Sequence, residues 1–249
     1  MASDNPLISC LMVTRGALFP AHFSIAGFLA QTHNPRELVI VSDAPSSALV
    51  DHVAALGDPR IRLIRAGSAS LGALRNEAMS AAQGAIIAQW DDDDLYAPER
   101  LEVQYAALKQ AGTAAILLQR WTMWWPARYR LALSAPRGWE GSILGWKDRL
   151  APYPPLSRGE DSAMIAAMLA NGATIGMIDR PDLYCYVVHG RNTFDTPHFN
   201  GLFAAASQRF EFADYERALG QRPQFPFADY RAALDSARDW RVDGYRHDG

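Results

Sequence analysis

The first 118 residues alternate short apolar runs with stretches of helical spacing. Residues 7–14 form a continuous apolar run of strand length, the pattern of a strand covered on both faces. Residues 20–31 follow, with Phe23, Ala26, Gly27, Phe28 and Ala30 at helical spacing. Residues 37–42 predict a second strand, ending at Asp43 and the turn-like Ala44-Pro45-Ser46-Ser47, and residues 49–56 a second helix. Strands over 61–65 and 85–89 flank a third helix over 71–82. Four aspartates close the fourth strand, before a helix that Pro98 opens at its first turn. This repetition with short connections predicts right-handed crossovers and a mainly parallel sheet. In such sheets ligands sit beyond the carboxyl ends of the strands. Thr14, Asp43 and the aspartates all lie at those ends.

The rhythm breaks after Leu118. Residues 119–130 (QRWTMWWPARYR) set three tryptophans between arginines, and Trp139 and Trp146 follow. Residues 160–169 predict a helix, 174–178 and 183–188 strands, and His189-Gly190-Arg191-Asn192 a polar exit. From Phe203 the chain reads as helical and polar, with FADY at 212–215 and again at 227–230, a match too short for a repeat architecture. The expected organisation is one domain over 1–202, with halves meeting near 118, and a helical extension over 203–249.

Composition narrows the function. The chain has 249 residues, 49% hydrophobic and 20% charged, enough for a sizeable core. A net charge of -3 gives no basic footprint for nucleic acid. No apolar run reaches the roughly 18 residues needed to span a bilayer. The start, MASDNPLISC, lacks a basic region ahead of a hydrophobic stretch, so it does not read as a secretory signal, and a cytoplasmic location is expected. Cys10 and Cys185 form neither a disulfide framework nor a metal-ligand spacing.

Asp91-Asp92-Asp93-Asp94 is the strongest local signal. Adjacent carboxylates raise one another's pKa unless solvated or neutralised by a cation. In extended geometry Asp91 and Asp93 share a face, and hard oxygen donors suit Mg²⁺ or Mn²⁺ bound together with a substrate phosphate. The plainer alternative is an acidic turn in which Asp94 caps the next helix. Glu160 and Asp161 begin a helix, where they either cap it or supply a proton acceptor. Trp121 reads as core and Trp139 as an aromatic face for an acceptor. The basic-aromatic run 121–130 also suits peripheral contact with anionic lipid, on the inner face of a membrane.

Residues 85–101 (AIIAQWDDDDLYAPERL) resemble the strand–aspartate–helix element of family 2 glycosyltransferases, enzymes of GT-A fold. Residues 9–15 (SCLMVTR), QT at 31–32 with ELVIVSD at 37–43, and LGALRNEA at 71–78 are similar to upstream segments of that family. Gly159-Glu160-Asp161 resembles its acidic pair, and 188–193 (VHGRNT) a histidine segment seen in many members. The chain departs at Asp43, where Ser42 stands in place of a first acid, and nothing in the family accounts for the tail. The resemblance implies an α/β GT-A domain whose half 1–118 binds nucleotide and whose half 119–202 binds acceptor. It implies an inverting, metal-dependent transfer from a nucleotide-diphosphate sugar, a UDP-sugar by family habit, to a glycan or other hydroxyl acceptor. Thr14, Arg15, Asp43, Gly72, Arg75, Asp91 and Asp92 would then line the donor site, with Asp93 and His189 on Mn²⁺ or Mg²⁺. Asp161 would be the general base, with Trp139 and Glu160 beside the acceptor. Two rivals stay open: a nucleotidyltransferase that makes sugar nucleotides, and a non-catalytic carbohydrate-binding protein on the same fold. The first would need a glycine-rich basic loop after the first strand, and Thr14-Arg15-Gly16-Ala17 has one glycine.

Overall fold

A computed structural model describes residues 5–237. The first half follows the predicted order: β1 (Ile8–Val13), α1 (Leu18–Leu29), β2 (Arg36–Ser42), α2 (Ser47–Leu56), β3 (Ile61–Arg65), α3 (Leu71–Ala81) and β4 (Ile86–Gln89). Local chemistry sets several boundaries. The Ser46 and Ser70 side chains accept from Leu49 N and Ala73 N and start α2 and α3. The helix expected at Pro98, α4 (Arg100–Ala111), begins two residues later, after the two-residue strand β5 (Leu95–Tyr96).

Beyond α4 come β6 (Ala115–Leu118), β7 (Thr122–Trp125), β8 (Arg130–Leu133), β9 (Trp139–Trp146), α5 (Glu160–Ala170), β10 (Ile175–Ile178) and β11 (Tyr184–Val187). The chain closes with α6 (Thr196–Ala204), β12 (Gln208–Phe210), α7 (Ala213–Gly220) and α8 (Phe227–Ser236). Among the described residues the main sheet has the order β10-β6-β9-β4-β1-β2-β3. It is parallel except at β9, which runs antiparallel between β4 and β6. A second sheet, β12-β8-β7-β11-β5, contains the strand expected over 183–188 as β11, while β5, β7, β8 and β12 were not expected from the pattern. Its strands are two to four residues long, too short to carry a readable alternation, and all but β12 are largely buried.

The tryptophan run lies inside this second sheet: Trp121, Trp124 and Trp125 are all buried. Their burial removes the three tryptophans from any surface contact, while Tyr129 at the end of the run is exposed. The tail packs over them. Tyr215 Oη accepts from Trp124 Nε1 at 2.8 Å, and Tyr230 lies 5.3 Å from the Trp124 ring and 4.9 Å from Phe23 of α1. The two FADY pieces thus start α7 and α8 and bring both tyrosines to one tryptophan. Among the described residues no helix is long and apolar enough to cross a membrane.

Candidate active site

Parallel pairing aligns the carboxyl ends of β1, β2 and β4, with Val13 opposite Val41 and Leu11 opposite Gln89. Thr14, Asp43 and the aspartate loop therefore emerge along one edge of the sheet. Trp90 anchors the loop: it is fully buried, stacks on Tyr96 at 3.8 Å and donates to Ser24 O at 3.1 Å. Ser24 Oγ and Tyr96 Oη in turn donate to the Asp91 carbonyl.

From this anchor the four aspartates leave in a turn, not in the extended geometry expected, and each meets a different partner. Asp91 Oδ1 accepts from Arg75 Nη2 at 2.7 Å. Asp92 is half-buried; burial and the Asp93 charge push its carboxyl up to about 8, against a hydrogen bond from Thr14. Asp93 Oδ2 lies 2.9 Å from His189 Nε2. Asp94 is buried and accepts from Tyr184 Oη at 2.5 Å and Val187 N at 2.8 Å. Burial first, then the Asp93 and Asp91 charges, hold Asp94 well above the ordinary carboxylate range. Asp94 thus ties the loop to β11 and does not cap α4, whose cap position is Glu99.

Arg75, predicted to face nucleotide, is almost wholly buried and bridges two carboxylates: Nη2 holds Asp91, and Nε donates to Glu160 Oε1 at 2.7 Å. Burial disfavours its charge, but Asp91, Tyr153, Glu160 and Asp161 outweigh it and hold the guanidinium pKa well above its usual value. Glu160, expected beside the acceptor, is 2% exposed, so its oxygens serve Arg75. Asp161, one residue on, is half-buried in the first turn of α5 and accepts from Ser162 N. Gly159 precedes it at φ +71°, a left-handed cap that a glycine adopts without strain. Gly72 approaches protein, not open cleft: a Cβ there would lie 1.8 Å from the Pro154 carbonyl oxygen. Arg15 and Asp43 are exposed at the strand ends. Trp139 offers no free face, because it is buried, stacks on Trp121 at 4.4 Å and carries the Arg137 guanidinium 3.9 Å from its centroid.

His189 Nδ1 accepts from the Arg191 amide at 3.1 Å, so the ring proton of the neutral form sits on Nε2 and points to Asp93. In this arrangement the His189 ring and the Asp93 carboxylate meet at one end of the loop. Among the described residues no three His, Cys, Asp or Glu side chains group to hold a metal by themselves. Asp93 suits an ion that arrives with a diphosphate, since such ions take one or two carboxylates and draw the rest from phosphate and water. Several contributors escaped the sequence reading. Tyr184 and Asn192 lock the loop and the histidine turn; Asn192 accepts from His189 N and donates to Val187 O. Arg100, fully buried, donates to Gln89 O and lies about 5 Å from the Trp90, Tyr96 and Tyr184 rings. Nothing in local spacing distinguishes these residues; only the fold brings them together.

The sheet order, with an acidic loop at the end of β4, defines a GT-A domain. The Glycosyl transferase family 2 model matches residues 21–129, less than half of the chain. Over 117 residues it is 39% identical to WcaA of Escherichia coli (strain K12), a protein named for colanic acid biosynthesis, covering 46% of this chain and 42% of that one. Over 106 residues it is 32% identical to WfgD of Escherichia coli, a UDP-Glc:alpha-D-GlcNAc-diphosphoundecaprenol beta-1,3-glucosyltransferase, covering 42% of each. The matches thus span less than half the length of these relatives. Among solved structures, TarS 1–349 of S. aureus with UDP superposes at TM-score 0.60 and 15% identity, over 78% of this chain and 69% of that one. The mannosyltransferase PcManGT of Pyrobaculum calidifontis, with GDP-Man and Mn2+, gives 0.59 at 16% identity, over 94% and 76%. At these identities the structures speak to the fold.

Proposed function

We propose that this chain is an inverting glycosyltransferase, moving a sugar from a nucleotide-diphosphate donor, a UDP-sugar, to a hydroxyl acceptor in polysaccharide or glycoconjugate synthesis. One observation supports the reading: Arg75 joins Asp91 of the β4 loop to Glu160 at the start of α5, the turn that also carries the candidate base Asp161. Relatives named for colanic acid and for a diphosphoundecaprenol-linked acceptor support the acceptor class, and UDP bound to TarS supports the donor.

In this reading Thr14, Arg15 and Asp43 receive the nucleoside at the ends of β1 and β2, while Asp91 and Asp92 border its ribose and diphosphate. Asp93, aimed by His189, holds a divalent ion, Mn²⁺ or Mg²⁺, which when bound offsets charge on the departing diphosphate. Asp161 takes the proton of the acceptor hydroxyl as its oxygen bonds to the anomeric carbon and the nucleoside diphosphate leaves from the opposite face. One such displacement inverts the anomeric centre. The buried Arg75–Glu160 pair fixes the first turn of α5 and thereby the position of Asp161.

A thermal-shift panel of UDP-, GDP-, dTDP- and CMP-sugars with Mn²⁺ identifies the donor, since a ligand of the native state raises apparent stability. With that donor, Asp161→Asn is expected to lower turnover by about 10²–10⁴-fold while leaving donor affinity unchanged. Near-normal transfer by the variant, or retained anomeric configuration, contradicts the mechanism.

A further inference from the structure

A cavity of about 370 Å³ opens beside the histidine turn, walled by Val188 and Gly190 on either side of His189 and by residues 192–196. Arg128 and Arg158 reach it from separate parts of the fold. Arg128 follows β7, and its Nη1 donates to Asn200 Oδ1 at 3.3 Å. Arg158 lies three residues before Asp161, on the exposed approach to α5, with its guanidinium 5.1 Å from the Phe194 ring. Against these two cations the lining holds one carboxylate, Asp195, which caps α6 by accepting from His198 N at 3.1 Å. Asn192 and Thr193 add neutral hydrogen-bonding groups. The positive field is felt nearby. Burial lowers the His198 pKa, Asp195 opposes that, and the charges of Arg137 and Arg158 add to the lowering.

This chemistry is the reverse of the aspartate loop. Paired guanidiniums with amide and hydroxyl neighbours match the oxygens of a phosphoryl group, and the volume exceeds what a lone carboxylate needs. The lining includes none of Thr14, Asp43, Asp91, Asp92 or Asp93, so an anion here does not occupy the donor's place. It does include the residue that leads directly into the Asp161 turn. We infer that the cavity binds a phosphoryl group carried by the acceptor, with Arg128 and Arg158 as its cationic pair. This inference rests on the glycosyl-transfer reading, because that reading is what makes the Asp161 side the acceptor side.

The test uses the full chain and two probes in excess EDTA, phenyl phosphate and uncharged phenyl glucoside, with UDP plus Mn²⁺ titrated separately. Wild-type protein is expected to bind phenyl phosphate about tenfold or more tightly than phenyl glucoside. Arg128→Gln/Arg158→Gln should weaken phenyl phosphate by about tenfold or more and leave UDP within about twofold. Where the double variant melts early, Arg158→Gln alone, at an exposed position, carries the test with a loss of about threefold or more. Unchanged phenyl phosphate binding in a folded variant overturns the inference, as does equal binding of the two probes. A parallel loss of UDP affinity also overturns it, because the arginines then serve the donor. Failure of wild-type protein to bind UDP, GDP, dTDP or CMP with Mn²⁺ instead defeats the glycosyl-transfer reading, and the acceptor assignment falls with it, whatever phenyl phosphate does.

Discussion

The two sides of the cleft are built in opposite ways. The proposed donor side stands on the ends of parallel strands close together in sequence, and its chemistry is mainly acidic: Asp43 and Asp91 to Asp94, with Arg15 at the edge. The proposed acceptor side is assembled from distant pieces, the turn after β7, the approach to α5 and the histidine turn, and its cavity carries Arg128 and Arg158. An acidic donor side gives a nucleotide diphosphate no attraction unless a cation comes with it, whereas the arginine side attracts an anion directly. In the proposed reading, opposite charge on the two sides would keep two anionic substrates from exchanging places.

Arg75 is where the sides meet, so it is the place to break the comparison hardest. Arg75→Met leaves Glu160 buried without its ion-pair partner, and Asp91 without the guanidinium that holds it. Loss of one member of a buried pair costs about 3–5 kcal/mol. Urea unfolding should show that loss, and Arg75→Met/Glu160→Gln should recover part of it. A single variant as stable as wild type would mean that the two sides are held together by other contacts.

Gly72→Ala tests the same seam sterically. Its Cβ would meet the Pro154 carbonyl at 1.8 Å, backbone that cannot swing aside, and overpacking of this kind costs about 1–3 kcal/mol. A melting temperature equal to wild type would show that the 153–156 segment yields freely.

The smallest effect sharpens the contrast by staying on one side. Glu37 is buried beneath the parallel strands; burial raises its pKa, but Ser9 Oγ, the Gln83 amide and Arg62 outweigh this and set it below the ordinary glutamate value. A depressed folded pKa means stability that is complete above the unfolded value, about 4.3, and is lost as pH falls through the folded value. Glu37→Gln should therefore flatten the fall in melting temperature below about pH 4.3 and leave phenyl phosphate binding untouched. An unaltered acid profile contradicts this role for Glu37.

How much of this was legible follows from the same contrast. Strands β1, β2 and β4 are buried along their length and are mostly apolar, so their order and the ligand-bearing edge are visible in the chain. The second sheet is not: of its strands only YCYV was expected, and TMWW and RLAL are too short to show a period. The aspartates show the limit most sharply. Four identical residues in a row carry no label, and their division of labour comes from Arg75, Thr14, His189 and Tyr184, which lie up to 96 positions away. Trp139 erred for a related reason: an aromatic near an acidic pair fits an acceptor contact, and only the fold reveals that Trp121 covers it.

The account turns on Asp93 and the cation it is proposed to hold, and calorimetric titration of UDP into wild-type and Asp93→Asn protein, with Mn²⁺ and with EDTA, tests it most directly. Wild-type protein should bind UDP with Mn²⁺ and lose about tenfold or more in EDTA, and the variant should show the weak affinity under both conditions. Equal UDP affinity in all four titrations would contradict the claim that the aspartate loop is a cation-dependent nucleotide site.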